Sequence, residues 1–211
     1  MRLTEIFFSI QGESTHAGRL CVFVRLTGCP LRCTWCDTAY AFHGGTERSL
    51  ASIVAEVEHY GCRLVEITGG EPLAQPEVHP LITALADRGH TVLIETSGAL
   101  DITPVDPRAI LIMDLKCPGS GMADSNLWAN IPRLKPTDEI KFVIKDRADY
   151  EWAVTKVREY MLTDRQTVLF SPVFDKLDPQ ALAEWVLADR LPVRFQLQLH
   201  KHIWDPAMRG V

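Results

Sequence analysis

Gly28-Cys29-Pro30-Leu31-Arg32-Cys33-Thr34-Trp35-Cys36-Asp37 places three cysteines within eight residues, in a C-x3-C-x2-C spacing. Three soft thiolates this close can converge on one metal centre. A closed zinc site needs four ligands, and the first histidine downstream, His43, is seven residues past Cys36. Three sulfurs on a cluster of four irons leave one iron open to a small chelating molecule. A partial zinc site or three buried thiols is the bland alternative for the same residues.

Outward from this motif the chain alternates short apolar runs with helical periodicity. The runs Leu20–Thr27, Leu64–Thr68, Thr91–Glu95, Ile110–Leu115, Glu139–Ile144, Thr167–Phe170 and Arg194–Leu199 predict strands. Leu50–Tyr60, Pro76–Arg88, Ala148–Tyr160 and Pro179–Asp189 predict helices. In the first helix Ile53, Val54 and Val57 form an apolar stripe that can pack on a sheet, and Gly61 is a plausible C-cap. This alternation predicts an α/β fold with a largely parallel sheet, with ligands at the C-terminal ends of its strands. Two stretches break the rhythm: Gly28–Gly45, and Cys117–Pro136, which reads as a long loop. No repeat or linker divides the chain, so residues 1–211 are expected to form one domain.

Composition bounds the function. At 211 residues, 46% apolar and 23% charged, the chain is long enough for a true core, with about 9,800 Å² exposed once folded. No apolar run approaches a membrane span, and Glu5 interrupts the stretch where a signal peptide would begin. Twenty-two basic against 27 acidic residues, a net charge of −5, give no general grip on a phosphate backbone, so nucleic acid is disfavoured as a partner. Half of the six cysteines fall in the cluster, which points to a reducing, cytoplasmic setting rather than a disulfide framework. Cys21, Cys62 and Cys117 have no partner spacing and read as packed thiols, although Cys117 adjoins Lys116.

Further candidates flank the motif. Gly69-Gly70-Glu71-Pro72 follows the run Leu64–Thr68, and paired glycines let a backbone approach a ligand closely. Upstream, Glu5-Ile6-Phe7-Phe8-Ser9-Ile10-Gln11-Gly12-Glu13 precedes Phe23-Val24-Arg25-Leu26-Thr27-Gly28-Cys29. Gln11 offers both donor and acceptor, Glu13 accepts from amino or ring N–H groups, and Arg25 can clamp a carboxylate. Equally, Gln11 and Glu13 can form a polar turn, and Arg25 can pair with a surface carboxylate. Asp37 is the obvious hard-oxygen ligand for a cation beside the cluster. Gln198-Leu199-His200-Lys201-His202 reads as the end of the last strand, with His200 and His202 on one face.

The cysteine spacing, with Trp35 before its last member, resembles the radical S-adenosylmethionine superfamily, and the Gly-Gly-Glu-Pro turn matches its second motif. With the N-terminal segments and Cys36-Asp37-Thr38, the chain is similar from residue 1 to about Trp204 to the 7-carboxy-7-deazaguanine synthase family. This resemblance implies an incomplete (β/α) barrel with trimmed helices. It implies a 4Fe–4S cluster on Cys29, Cys33 and Cys36, S-adenosyl-L-methionine on the open iron, and Mg²⁺ on Thr38. The implied reaction is a lyase reaction of queuosine biosynthesis, a radical ring contraction of 6-carboxy-5,6,7,8-tetrahydropterin to 7-carboxy-7-deazaguanine with loss of ammonia. Reductive cleavage of the sulfonium would yield a 5′-deoxyadenosyl radical that takes hydrogen from the carbon bearing the substrate carboxylate. Returning that hydrogen would regenerate the cofactor. The resemblance assigns substrate contacts to Ile10, Gln11, Gly12, Glu13, Arg25, Thr68 and His200. Cofactor contacts fall to Gly70, Glu71, Ser97, Asp114, Lys116 and Ser171. The family's terminal-carboxylate role is not carried over, because this chain continues past the His-Lys pair to Val211. A homodimer and an external flavodoxin- or ferredoxin-like electron donor are also implied. Two rivals share some features: a glycyl-radical activase, which would not explain Gln11, Glu13 and Arg25, and a non-catalytic zinc module.

Overall fold

The computed structural model describes residues 1–211 and contains one sheet of nine strands. In chain order the strands are β1 (Arg2–Ile10), β2 (Leu20–Leu26), β3 (Thr46–Glu47), β4 (Leu64–Gly69), β5 (Thr91–Thr96), β6 (Ile110–Asp114), β7 (Glu139–Ile144), β8 (Thr167–Pro172) and β9 (Arg194–Phe195). Across the sheet they lie in the order β3-β1-β2-β4-β5-β6-β7-β8-β9. β1 pairs antiparallel with β2 and β3, and from β2 to β9 every neighbour is parallel. The sheet does not close, which makes it the incomplete barrel expected from the sequence.

Helices α1 (Leu50–His59), α2 (Val78–Asp87), α3 (Arg147–Glu159) and α4 (Pro179–Asp189) cover the outer face. Each begins or ends for a local reason. Ser49, Asp146 and Asp178 cap α1, α3 and α4 by accepting the backbone N–H of Ser52, Asp149 and Gln180. α1 buries the predicted stripe of Ile53, Val54 and Val57. The outer core gathers alternate strand residues, among them Val24, Ile67, Ile94, Met113, Ile140, Phe142, Val168 and Phe170. The opposite residues face the concave side. There Phe7, Cys21, Phe23, Leu64, Leu93 and Ile112 form a small apolar plug at the base, with Phe7 and Phe23 stacked at 4.9 Å. The exposed area is 9564 Å², close to the scaling expectation.

Three expectations need correction. The nine-residue β1 is a strand that the apolar runs did not show, and its register breaks between Leu3 and Glu5. The predicted strand Arg194–Leu199 stops at Phe195. Beyond it Gln196 N still donates to Phe170 O, but Leu199 N donates to Gly12 O, so the chain leaves the sheet edge and turns into the short helix α5 (His200–Ile203). His200 and His202 therefore lie on a helical turn, and strand alternation does not place them.

The stretch Cys117–Pro136 is ordered by three 3₁₀ turns, Pro118–Ser120, Ala123–Ser125 and Trp128–Arg133. Its asparagines hold the backbone: Asn126 accepts from Lys116 N at 2.8 Å and donates to Lys116 O at 2.9 Å, while Asn130 donates to Leu100 O at 2.8 Å. It buttresses the cysteine loop, because Thr34 N and Oγ1 donate to Ser120 O and Gly119 O, each at 3.0 Å.

Candidate active site

The C-terminal ends of the parallel strands surround a cavity of about 750 Å³. Its lining brings together Cys29, Cys33, Cys36, Thr38, Ile10, Gln11, Gly12, Glu13, Arg25, Thr68, His200, Gly70, Ser97, Asp114 and Lys116. These residues are spread over nearly the whole chain, and only the fold assembles them.

The cysteine loop lies at one side. All three cysteines are half-buried and unpaired. Desolvation pushes the Cys29 and Cys33 thiols up, and the three sulfurs are near enough for each to act electrostatically on the others. No three Cys, His, Asp or Glu side chains converge tightly enough for a single metal ion.

The Gly-Gly turn packs against the first cysteine. Gly69 has φ +148°, and a Cβ at Gly70 would sit 2.7 Å from Cys29 Cβ and closer still to Gly28 O. Glu71 N donates to Gly28 O at 2.8 Å, which ties the end of β4 to the cluster loop. A side chain at Gly70 would push the two apart.

Two cofactor candidates, Glu71 and Ser171, are not part of the cavity lining. Glu71 is fully buried and faces away from the cavity: its carboxylate accepts from Leu73 N at 3.0 Å, Thr96 Oγ1 at 2.9 Å, Ser97 N at 2.7 Å and Ser97 Oγ. Its carboxylate shapes the β5 end that carries Ser97. Ser171 is also absent from the lining, with Oγ buried and unpartnered. The chain just after β8 reaches the cavity instead, through Val173, Phe174, Asp175 and Lys176.

The substrate side is built on β1, β2 and their connection. Arg25 and Thr68 are register partners across β2 and β4. Arg25 Nε donates to Glu5 Oε1 at 2.8 Å, and Tyr40 OH donates to the same oxygen at 2.8 Å. The carboxylate partner considered from the sequence is thus real, yet it engages only Nε and steadies an arginine that still lines the cavity. Gly12 fits against α5, since a Cβ there would lie 3.1 Å from His200 N and closer to the imidazole. Burial lowers the His200 pKa despite the Glu13 carboxylate, favouring the neutral ring.

Charged strand residues missed by sequence reasoning complete the concave face. Lys141 Nζ lies 3.0 Å from Glu13 Oε2, pairs with Glu95, and is 3.8 Å from Asp114 Oδ2. Burial pulls its pKa down, but the carboxylates of Glu13, Glu95 and Asp114 outweigh it and raise the pKa well above the usual ammonium value. Lys116 donates to Asp114 at 2.9 Å. Glu66 accepts from Gln11 Nε2 and is driven well above the usual carboxylate range by burial, then by the Glu95 and Glu13 charges. Glu66, Glu95 and Lys141 interrupt apolar runs at cavity-facing positions, a signal present in the sequence, while Glu139 opens β7 on the same side as Lys141.

Asp37 is engaged elsewhere. Lys201 Nζ binds its carboxylate at 2.6 Å and Gln198 Oε1 at 2.7 Å, while Gln198 Nε2 donates to Glu13 at 3.0 Å. Thr38 Oγ1, 3.7 Å from Cys36 Sγ, is the oxygen beside the cluster loop that no carboxylate occupies. Pro206–Val211 also line the cavity, with the Arg209 guanidinium 4.0 Å above the Tyr40 ring. The tail set aside at the sequence level therefore belongs to the site. Cys117 is buried outside it, and Cys62 Sγ donates to Leu20 O.

The model of the radical SAM superfamily matches residues 23–186. A 7-carboxy-7-deazaguanine synthase of Chlorobaculum tepidum is 46% identical over all of this chain and 97% of its own length. One from Koribacter versatilis is 48% identical, with both chains wholly covered. The crystal structure of QueE from Escherichia coli superposes with a TM-score of 0.77 at 25% identity, covering 94% of each chain.

Proposed function

The chain belongs to the radical S-adenosylmethionine superfamily and, within it, to the 7-carboxy-7-deazaguanine synthase family, and on that premise we propose how its residues divide the work. It is a carbon–nitrogen lyase that contracts the ring of 6-carboxy-5,6,7,8-tetrahydropterin to 7-carboxy-7-deazaguanine, with loss of ammonia, in queuosine biosynthesis. When bound, a 4Fe–4S cluster and S-adenosyl-L-methionine supply the one-electron chemistry that removes a hydrogen atom from carbon.

In our reading Cys29, Cys33 and Cys36 hold the cluster. Gly70, Ser97, Asp114 and Lys116 receive the sulfonium cofactor: Lys116 as a cation for its carboxylate, Gly70 as an uncrowded backbone, Ser97 through a hydroxyl that Glu71 orients. Ile10, Gln11, Gly12, Glu13, Arg25, Thr68 and His200 take the pterin. Gln11 and Glu13 face its amino-pyrimidinone edge, and Arg25, already steadied through Nε, offers the remaining guanidinium donors to its carboxylate. The stacked Phe7–Phe23 pair closes the base of the pocket to water.

Thr38 Oγ1 contributes one oxygen to Mg²⁺, the rest coming from substrate and water, as suits a cation that keeps few protein ligands. The chain works as a single catalytic domain, as a homodimer, reduced by an external flavodoxin- or ferredoxin-like donor in the cytoplasm. Six free cysteines fit a reducing compartment, and no helix is long and apolar enough to cross a membrane.

The observation that carries this reading is the meeting of the cysteine trio, the Gly-Gly turn and the Gln11–Glu13 segment around one cavity. Anaerobic incubation with carboxytetrahydropterin, adenosylmethionine, Mg²⁺ and a reductant should yield the deazaguanine. Adenosylmethionine cleavage only in the presence of a partner protein, without that product, would favour a glycyl-radical activase instead.

A further inference from the structure

β7 carries Glu139 and Lys141 two residues apart, so both side chains rise from the same concave face. Each is almost wholly withdrawn from water, Glu139 2% and Lys141 3% exposed. Both reach the connection between β1 and β2, although five strand steps separate β1 from β7 in the sheet. Lys141 Nζ meets Glu13 Oε2 at 3.0 Å. Glu139 accepts Thr15 N at 3.1 Å on Oε2 and 3.2 Å on Oε1, and its Oε1 also accepts the Thr15 hydroxyl. The connection is thus pinned to the far strand at two points that bracket Ser14.

Two observations argue that this arrangement does more than fill space. Glu139 stands in register with Ile112 of the apolar plug, where an aliphatic residue would pack without burying a carboxylate. Its side-chain partner is Thr15, from a segment 124 residues away. Between the pins, Ser14 adopts φ +64°, a left-handed conformation unfavourable for a residue with a Cβ. Such strain persists only where the surroundings over-determine the backbone. Gln11 is set by the same turn, since its Oε1 accepts Glu13 N at 2.9 Å and its carbonyl accepts Gly18 N at 2.8 Å.

We propose that Glu139 and Lys141 are positioning residues that clamp the Gln11–Thr15 segment across the open barrel and so set its affinity for the pterin. This rests on the assignment of Gln11, Gly12 and Glu13 to the substrate. The Glu139–Thr15 half of the clamp bonds no residue assigned to the cluster or the sulfonium cofactor, so breaking it acts on pterin binding and leaves the cofactor's affinity alone.

Thr15→Val and Glu139→Leu test it, with Thr15→Ser as the conservative control that keeps the hydroxyl. Thr15 is exposed and its replacement leaves the core intact. In each test variant KM for carboxytetrahydropterin should rise about tenfold, as expected for a lost hydrogen bond to a charged group. The kcat should change less than about twofold, adenosylmethionine affinity should hold, and Thr15→Ser should restore KM. The double variant should be no worse than the weaker single, because both changes break one contact. Binding of oxidised 6-carboxypterin, followed by its fluorescence, should weaken in parallel without turnover. Unchanged KM and pterin affinity in both variants, with an active wild type, would overturn the clamp alone. So would parallel losses in kcat and adenosylmethionine affinity, which report a disturbed sheet. A wild type that neither binds nor converts the pterin would instead remove the substrate assignment beneath it.

Discussion

Replacing Lys141 with Met keeps the length and apolar stem of the side chain while deleting one buried ammonium. The charge it removes is shared by Glu13 at 3.0 Å, Asp114 at 3.8 Å and Glu95. A pair at about 4 Å is worth about 4 kcal/mol at an effective dielectric constant near 20, and the partners lie in a partly wetted cavity. Much of that attraction offsets the desolvation of Lys141 itself, so the net effect follows breaking a buried pair, about 3–5 kcal/mol. For a chain of this size, a loss of 3–5 kcal/mol corresponds to a drop of roughly 6–20 °C in Tm. The pH dependence separates this electrostatic loss from poor packing. Because its folded pKa is raised, Lys141 stays protonated both folded and unfolded below its unfolded value of 10.5, so its own titration adds no slope between pH 5 and 8 and any slope comes from the carboxylates around it. In the variant, Glu13, Glu95 and Asp114 are left to repel one another, and the folded state binds more protons than the unfolded state. Stability of the variant then falls as pH rises, and its deficit should widen from pH 5 to pH 8. Circular-dichroism melts of the cluster-free proteins at three pH values measure this. A drop in Tm below about 2 °C, or a deficit constant with pH, would refute the reasoning.

Three further outcomes follow from the site. Cys33→Ala should abolish the iron–sulfur absorbance and lower bound sulfide after anaerobic reconstitution; a full cluster in that variant would contradict the ligand set. Glu71→Ala should lower stability by about 3 kcal/mol, because it strands the buried donors of Leu73, Thr96 and Ser97, with Glu71→Gln intermediate; urea unfolding that ranks the glutamine variant lowest would contradict this. Glu66→Gln should stabilise the protein increasingly above pH 4.5: burial and the Glu95 and Glu13 charges raise the wild-type folded pKa, so wild-type stability falls as pH rises through it, whereas the amide has no such slope. A gain that shrinks between pH 5 and 8 would show that Glu66 is ionised without penalty.

Much of the outer architecture was legible because its causes are local. Six of the seven predicted strands appear with their ends within two residues, since an apolar run buried on both sheet faces announces itself. Glu139–Ile144 and Pro179–Asp189 match at both ends. β1 was not legible as a strand: Glu5, Phe7, Ser9 and Gln11 turn to a mixed polar and apolar face, so it lacks the apolar run of its neighbours. The last predicted strand failed for a tertiary reason. Its residues after Phe195 find a better partner in Gly12 O than in the sheet edge, and no local propensity announces that bond.

The candidate site divides along the same line. Cys29, Cys33, Cys36 and Gly70 were marked by spacing and composition within a few residues, and all line the cavity. Glu71, from the Gly-Gly turn, and Ser171, from a family-like strand end, lie outside the cavity lining, because a segment match gives a residue's place in the chain but not the side its carboxylate or hydroxyl faces. Lys141, Glu66 and Glu139 were visible as charges inside apolar strands, yet their partners were not, since Glu13 and Lys141 stand 128 residues apart. Sequence alone determined the strand and helix runs and the cysteine spacing, because backbone propensity and ligand spacing act over neighbouring residues. Tertiary structure alone decided which charges neutralise one another and how the Gln11–Thr15 segment is held, because burial and Coulomb attraction depend on distance in space, and that distance exists only once the sheet has curled.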